Sequence, residues 1–155
     1  MNYSKPIPFL LILLVLISCN KDDELGNQKE KMLTGKNWKL TSAQSDPPID
    51  SDGQSITDIY AVMPSCAKDN TTKFNADGSV LFDEGPSKCD AQDPQTEISE
   101  WSFNSDKTSM TVDVDNKTVR YKIIEISNSR LKISFEEKDE DTGINHTITA
   151  IYSAQ

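Results

Sequence analysis

The chain has 155 residues, 35% of them hydrophobic and 26% charged, with 25 acidic against 16 basic side chains and one histidine, for a formal charge of −9. Such an acidic excess repels nucleic acid and anionic lipid surfaces, and a single histidine with three cysteines leaves no material for a multi-histidine or CxxC metal site, so nucleic-acid partners, metals and cofactors are not expected. The length suits one domain, and since the first 18 residues take 12 of the hydrophobic side chains, the rest of the chain has few left and its core is thin.

Residues 1–18 read as an export signal. Lys5 and the amino terminus supply the positive end, and Phe9 to Ile17 form an unbroken apolar run of nine residues. A membrane-spanning helix needs about 20 such residues, whereas the apolar part of a signal peptide needs only about 7–15. The run ends Leu16-Ile17-Ser18-Cys19, which resembles the lipobox of bacterial lipoproteins. The resemblance implies cleavage before Cys19, a thioether-linked diacylglycerol on its sulfur and an acylated new amino terminus. At roughly 0.8 kcal/mol per buried methylene, two or three acyl chains hold a protein on a membrane stably. An ordinary secretory signal with a chance cysteine is the alternative.

Asn20-Lys21-Asp22-Asp23-Glu24 resembles the tract by which some Gram-negative bacteria send lipoproteins to the outer leaflet. It implies an outer-membrane lipoprotein displayed at the cell surface, against a periplasm-facing alternative in which the tract is simply a solvated linker. Residues 19–30 are expected to form an acidic flexible tether, and residues 31–155 the folded domain.

Asn27 to Glu30 reads as a capping box that opens a short helix through Leu33, with Gly35 as its stop. The pattern then changes to period two. Strands are expected at Asn37–Ala43, Thr71–Asn75, Ser79–Asp83, Glu97–Asn104, Thr108–Asp113, Thr118–Ile126, Arg130–Glu137 and Asn145–Ser153, with turn-forming residues between most of them. Trp101/Phe103, Met110/Val112/Val114, Val119/Tyr121/Ile123, Leu131/Ile133/Phe135 and Ile148/Ala150/Tyr152 line one face. Ile123-Ile124 breaks the alternation, as a bulge or an end contact does. In the long gap 44–66, Ile56, Ile59, Tyr60 and Met63 fall at helical spacing, which predicts a short amphipathic helix laid over one end of the domain.

Export places Cys66 and Cys89 among oxidants, and with Cys19 acylated they are the two thiols left to pair. Asp77-Gly78 reads as a two-residue hairpin turn, and that turn sets Cys66 and Cys89 directly opposite each other. Pro64 and Pro86 end the ladder nearby, so the bridge is expected to staple loops, contributing about 3 kcal/mol in the chain-entropy model.

Eight antiparallel strands with one apolar face, joined mostly by hairpins, predict an all-β, up-and-down antiparallel barrel with a short N-terminal helix. A β-sandwich is the alternative. Leu33-Thr-Gly-Lys-Asn-Trp-Lys-Leu40 after a short helix resembles the glycine–tryptophan entry into the first strand of lipocalin-like domains. Cys66-x-Lys-Asp, Phe74-x-x-Asp-Gly78, Cys89-Asp and Trp101-x-Phe are similar to lipocalin-like lipoproteins of Gram-negative envelopes, and the likeness covers residues 32–153. Gly35 and Trp38 stand one residue further apart than in lipocalins, and no arginine follows the last strand to stack on the tryptophan.

For function, Asp50-Ser-Asp52-Gly53 and Asp139-Glu-Asp141-x-Gly143 hold carboxylates as calcium sites do, but neither completes an EF-hand loop, and turns use the same residues. His146 reads as a solvated histidine opening the last strand, with no serine or second base tied to it, so no enzyme is expected. The leading expectation is a membrane-anchored barrel that binds a small apolar or amphipathic ligand in a cavity lined by Trp38, Leu81, Trp101, Phe103, Tyr121 and Phe135. The alternative is a filled barrel that contacts another envelope or host protein, its large aromatics serving as packing.

Overall fold

The computed structural model describes residues 21–114 and 117–155, so the export signal and Cys19 lie outside the described residues. Helix α1 (Lys21–Leu33) is followed by β1 (Asn37–Ser51), β2 (Gln54–Asp58), the single turn α2 (Ile59–Val62), a 3-10 turn over Ser65–Lys68, and then β3 (Thr71–Phe74), β4 (Ser79–Asp83), β5 (Thr96–Phe103), β6 (Ser109–Val114), β7 (Lys117–Ile126), β8 (Arg130–Lys138) and β9 (Asn145–Ala154). Strands β1 and β3 to β9 pair antiparallel in chain order, and β1 closes on β9 from Trp38–Ala154 to Asp46–Thr147. The architecture is therefore a closed eight-stranded antiparallel barrel, and not a sandwich.

Three local expectations are corrected. The helix starts at Lys21 rather than at Asn27, so most of the segment read as a tether is helical. Residues 21–33 contain no proline and no β-branched residue, and the helix is docked rather than free. The Lys29 Nζ donates to the Lys107 carbonyl at 2.9 Å, and Lys107 pairs with Glu30 at 3.0 Å. Gly26 admits this close approach, since a Cβ there would stand 3.2 Å from Lys107 Cδ.

Segment 44–66 is the second. In place of an amphipathic helix, β1 runs on to Ser51, turns at Asp52-Gly53 and returns as β2, leaving one helical turn capped by Asp58 Oδ1, which accepts from the Ala61 N–H at 2.9 Å. Asp52 and Gly53 both take positive φ (54° and 78°), the geometry of a two-residue hairpin turn. The ladder gap between Gln44 and Ile49 falls on Pro47 and Pro48, which have no N–H to donate.

The third is the register at Asp77-Gly78. Only Gly78 of the pair has positive φ (88°), and Asp77 Oδ1 accepts from the Ser79 N–H at 2.9 Å instead. The loop is wider by one residue, Phe74 pairs with Val80 and Thr71 with Asp83, and the ladder does not set Cys66 opposite Cys89. The bridge forms between loops all the same: Cys66 in the 3-10 turn and Cys89 in the 84–95 loop are disulfide-bonded, with Cα atoms 5.2 Å apart.

The break at Ile123-Ile124 is a bulge, because Ile123 pairs with Ile133 but Glu125 with Lys132. It turns Ile124 outward and Ile126 into the core. A second bulge between Leu40 and Ser42 lets β1 present Trp38 and Leu40, then Ala43 and Ser45, to the inside. Beyond Lys122–Ser134, β7 and β8 part. Among the described residues, Lys117–Tyr121 pair with β6 alone and Phe135–Lys138 with β9 alone.

Candidate functional site

The inner wall arises from strand alternation: every second residue of β9 from His146 to Ala150 is buried, as are Leu131 and Ile133 on β8 and Met110 and Val112 on β6. One end is sealed by the last turn of α1. Leu33 and Trp38 are fully buried there, and the indole Nε1–H of Trp38 donates to the Leu33 carbonyl at 2.8 Å, satisfying an acceptor the helix end leaves open. Lys36 Nζ stands 5.6 Å from the Trp38 ring centroid.

Above this floor lies an internal cavity of about 40 Å³ lined by Trp38, Thr72, Phe74, Met110, Val112, Tyr121, Leu131, Ile133 and Tyr152. That is room for about one water molecule, against the roughly 300–1,000 Å³ of a ligand pocket. Burial of its phenol, and then the neighbouring Tyr121, push the Tyr152 hydroxyl well above the ordinary tyrosine range. Burial and then the Glu137 carboxylate push Tyr121 the same way.

The six residues expected to line a cavity divide. Trp38 and Tyr121 do line it. Trp101 packs edge-on between Phe74 (centroids 5.4 Å) and Phe103 (5.1 Å), with its Nε1–H donating to the Asn75 carbonyl at 2.9 Å, so Trp101 and Phe103 fill the wall. Phe135 meets Tyr121 edge-on at 5.1 Å, one layer further up the barrel. Leu81 is a correction: it pairs with Ile98, which is 75% exposed, and alternates with the inward Val80 and Phe82, so it belongs to the outer face. Of the lining residues not singled out beforehand, Met110, Val112, Leu131, Ile133 and Tyr152 were already legible on the apolar face. Thr72 and Phe74 sit in a four-residue strand too short to show a period.

His146 is a second correction, being 3% exposed rather than solvated. Its Nδ1 stands 2.8 Å from the Pro47 carbonyl, an atom that only accepts, so Nδ1 carries the proton. Ser45 Oγ donates to the same carbonyl at 2.7 Å, and His146 Nε2 is buried without a partner among the described residues. Because β1 continues past Ala43, this latch ties it to β9. The acidic turns use their carboxylates internally: Asp50 Oδ1 accepts from the Gly53 N–H at 3.0 Å, and Asp139 Oδ1 from the N–H groups of Asp141 (2.8 Å) and Thr142 (3.0 Å). The Thr142 bonds, chiefly, hold the Asp139 carboxyl below the usual carboxylate range.

A family profile described as a lipocalin-like domain matches residues 33–133, from the sealed floor to the middle of β8. The chain belongs to this lipocalin-like family. No curated protein matches the sequence significantly. Among solved structures, this lipocalin-like chain is similar to bovine odorant-binding protein in complex with a selenium-containing odorant, with a TM-score of 0.44 and 14% identity over 81% of this chain and 72% of that one. It is also similar to a deswapped triple mutant of the bovine protein (TM-score 0.43, 15% identity, 79% of this chain and 73% of that one) and to its complex with undecanal (0.44, 14%, 79% and 71%).

Proposed function

We propose that this lipocalin-like domain binds a small apolar or amphipathic molecule at the cell envelope, held on the membrane by lipid attached to Cys19, and carries out no catalysis. The observation that carries the ligand reading is the closed, apolar barrel interior, in which Trp38, Tyr121 and Tyr152 still leave a void. Occupation requires side chains to move, and the Tyr121–Phe135 pair stands at the upper limit of that void. Titration of residues 25–155 with an environment-sensitive apolar dye is expected to give saturable binding at one site. A folded domain that takes up no dye favours the second reading, a filled barrel that contacts another envelope or host protein. The small volume of the void, about 40 Å³, supports that reading.

The anchor rests on the Leu16-Ile17-Ser18-Cys19 motif and the acidic tract after it. Intact-mass spectrometry of native material is expected to show a chain that begins at an acylated Cys19, and a chain retaining Met1 would refute it. Protease shaving of intact cells distinguishes the expected surface display, where the domain is digested, from a periplasm-facing domain, where it is protected.

A further inference from the structure

The barrel has a second space besides its axis, at the seam where β7 and β8 part. A side notch of about 580 Å³ opens there, within the size range of ligand pockets. Its apolar surface comes from Val119 and Phe135, and its rim carries Lys117, Arg120 and Lys122 on the β7 side. Three cations along one strand of a chain whose formal charge is −9 make a local reversal of sign. Glu136 and Glu137 face them from β8, so the notch is polarised from one wall to the other. The strand edges bordering it lack a strand partner among the described residues. Phe135 lines the notch and touches Tyr121, which lines the inner cavity, so one aromatic pair separates the two spaces.

We propose that the β7–β8 notch is the ligand site and side entrance of the barrel, and that it takes a single-chain amphiphile with an anionic head. The apolar chain lies on Val119 and Phe135, and the head lies against Arg120 and Lys122. Rotation of the Tyr121–Phe135 pair lets the chain end reach the inner cavity. This assignment rests on the reading that the domain binds an amphipathic molecule, and it adds the place, the route and the charge of that molecule.

The test uses the full chain in phosphatidylcholine vesicles, labelled with a diazirine-bearing long-chain carboxylic acid or with its methyl ester, and the labelled residues mapped by peptide mass spectrometry. The acid is expected to label residues 117–122 and 134–137 saturably, with the ester labelling them about tenfold less at low salt, an advantage that shrinks as salt is raised. The double variant Arg120→Ala/Lys122→Ala should bring the acid down to the level of the ester. Both side chains are exposed, and a thermal melt confirms the fold; if that variant melts early, Lys117→Ala at the same rim repeats the comparison. Saturable labelling confined to inner residues away from the seam, or equal labelling by acid and ester, overturns the notch while leaving a ligand-binding barrel in place. Absence of saturable labelling anywhere overturns both.

Discussion

The Nε1–H of Trp38 reaches back five residues to the carbonyl of Leu33 at 2.8 Å, and both side chains are fully buried. This bond joins the end of the helix to the first strand of the barrel, and it makes the tryptophan a structural lock as well as part of the cavity wall. Trp38→Phe is expected to cost about 1–3 kcal/mol, because the Leu33 carbonyl is left buried and unpaired. Denaturant unfolding measures it, and a loss below about 0.5 kcal/mol would show that the bond is dispensable.

The Cys66–Cys89 bridge closes a loop with a sequence separation of 23. Replacing both residues by alanine should remove about 3 kcal/mol through greater freedom of the unfolded chain. Since the bridge joins loops outside the barrel wall, dye binding at a temperature where the variant is folded should be unchanged. Lost binding in a folded variant would mean that the loops shape the site.

Neighbouring residues of β4 separate the two faces of the sheet. Val80→Ala, at a fully buried position, is expected to cost about 2 kcal/mol, and Leu81→Ala, on the outer face beside Ile98, less than about 1 kcal/mol. The reverse order in chemical denaturation would place Leu81 inside.

Three turn carboxylates are expected to contribute to the acid limb. Hydrogen bonds from Ser79 to Asp77, from Thr108 to Asp106 and from Thr142 to Asp139 hold each carboxyl below its ordinary value of 3.8. A depressed value in the folded state stabilises above the unfolded value and is lost as pH falls through the folded one, so the domain should weaken progressively below about pH 4. The triple variant Asp77→Asn/Asp106→Asn/Asp139→Asn is expected to flatten the dependence of melting temperature on pH in that window. An unchanged slope would assign the acid limb to other groups.

At the alkaline end the sign is opposite. Burial raises the Tyr152 phenol, and Tyr121 adds to it, so the neutral form is favoured in the folded state relative to the unfolded value of 10.0. The associated stability is complete below pH 10 and declines as pH rises beyond it, because the unfolded chain ionises first. Spectrophotometric titration should show Tyr121 and Tyr152 ionising only as the domain unfolds, and Tyr152→Phe should make the alkaline limb shallower. Ionisation of both phenols at pH 10 in the folded protein would contradict their burial.

Residue pattern alone reached the all-β class, seven of the eight barrel strands to within about a residue at each end, the inward face of β6 to β9, a break in alternation at Ile123-Ile124 that pairing then showed to be a bulge, and the loop-to-loop disulfide. All but the disulfide rest on alternation and turn chemistry, which act over a few residues and are written locally, whereas the cysteine pair follows from elimination among three thiols. Tertiary structure decided the rest. Two Asp-Gly pairs look alike in sequence, yet Asp52-Gly53 makes the two-residue turn and Asp77-Gly78 the wider one, because the strands each connects are paired elsewhere in the sheet. Leu81 reads as core in a strand where Val80, Leu81 and Phe82 are all apolar, and only pairing with β5 chose the face. His146 is buried because a strand about 100 residues earlier brings Ser45 and Pro47 against it, and the notch exists because the β6–β7 and β8–β9 hairpins diverge beyond Lys122–Ser134. Contacts between residues so far apart depend on how the sheet curls shut, and no local pattern encodes that.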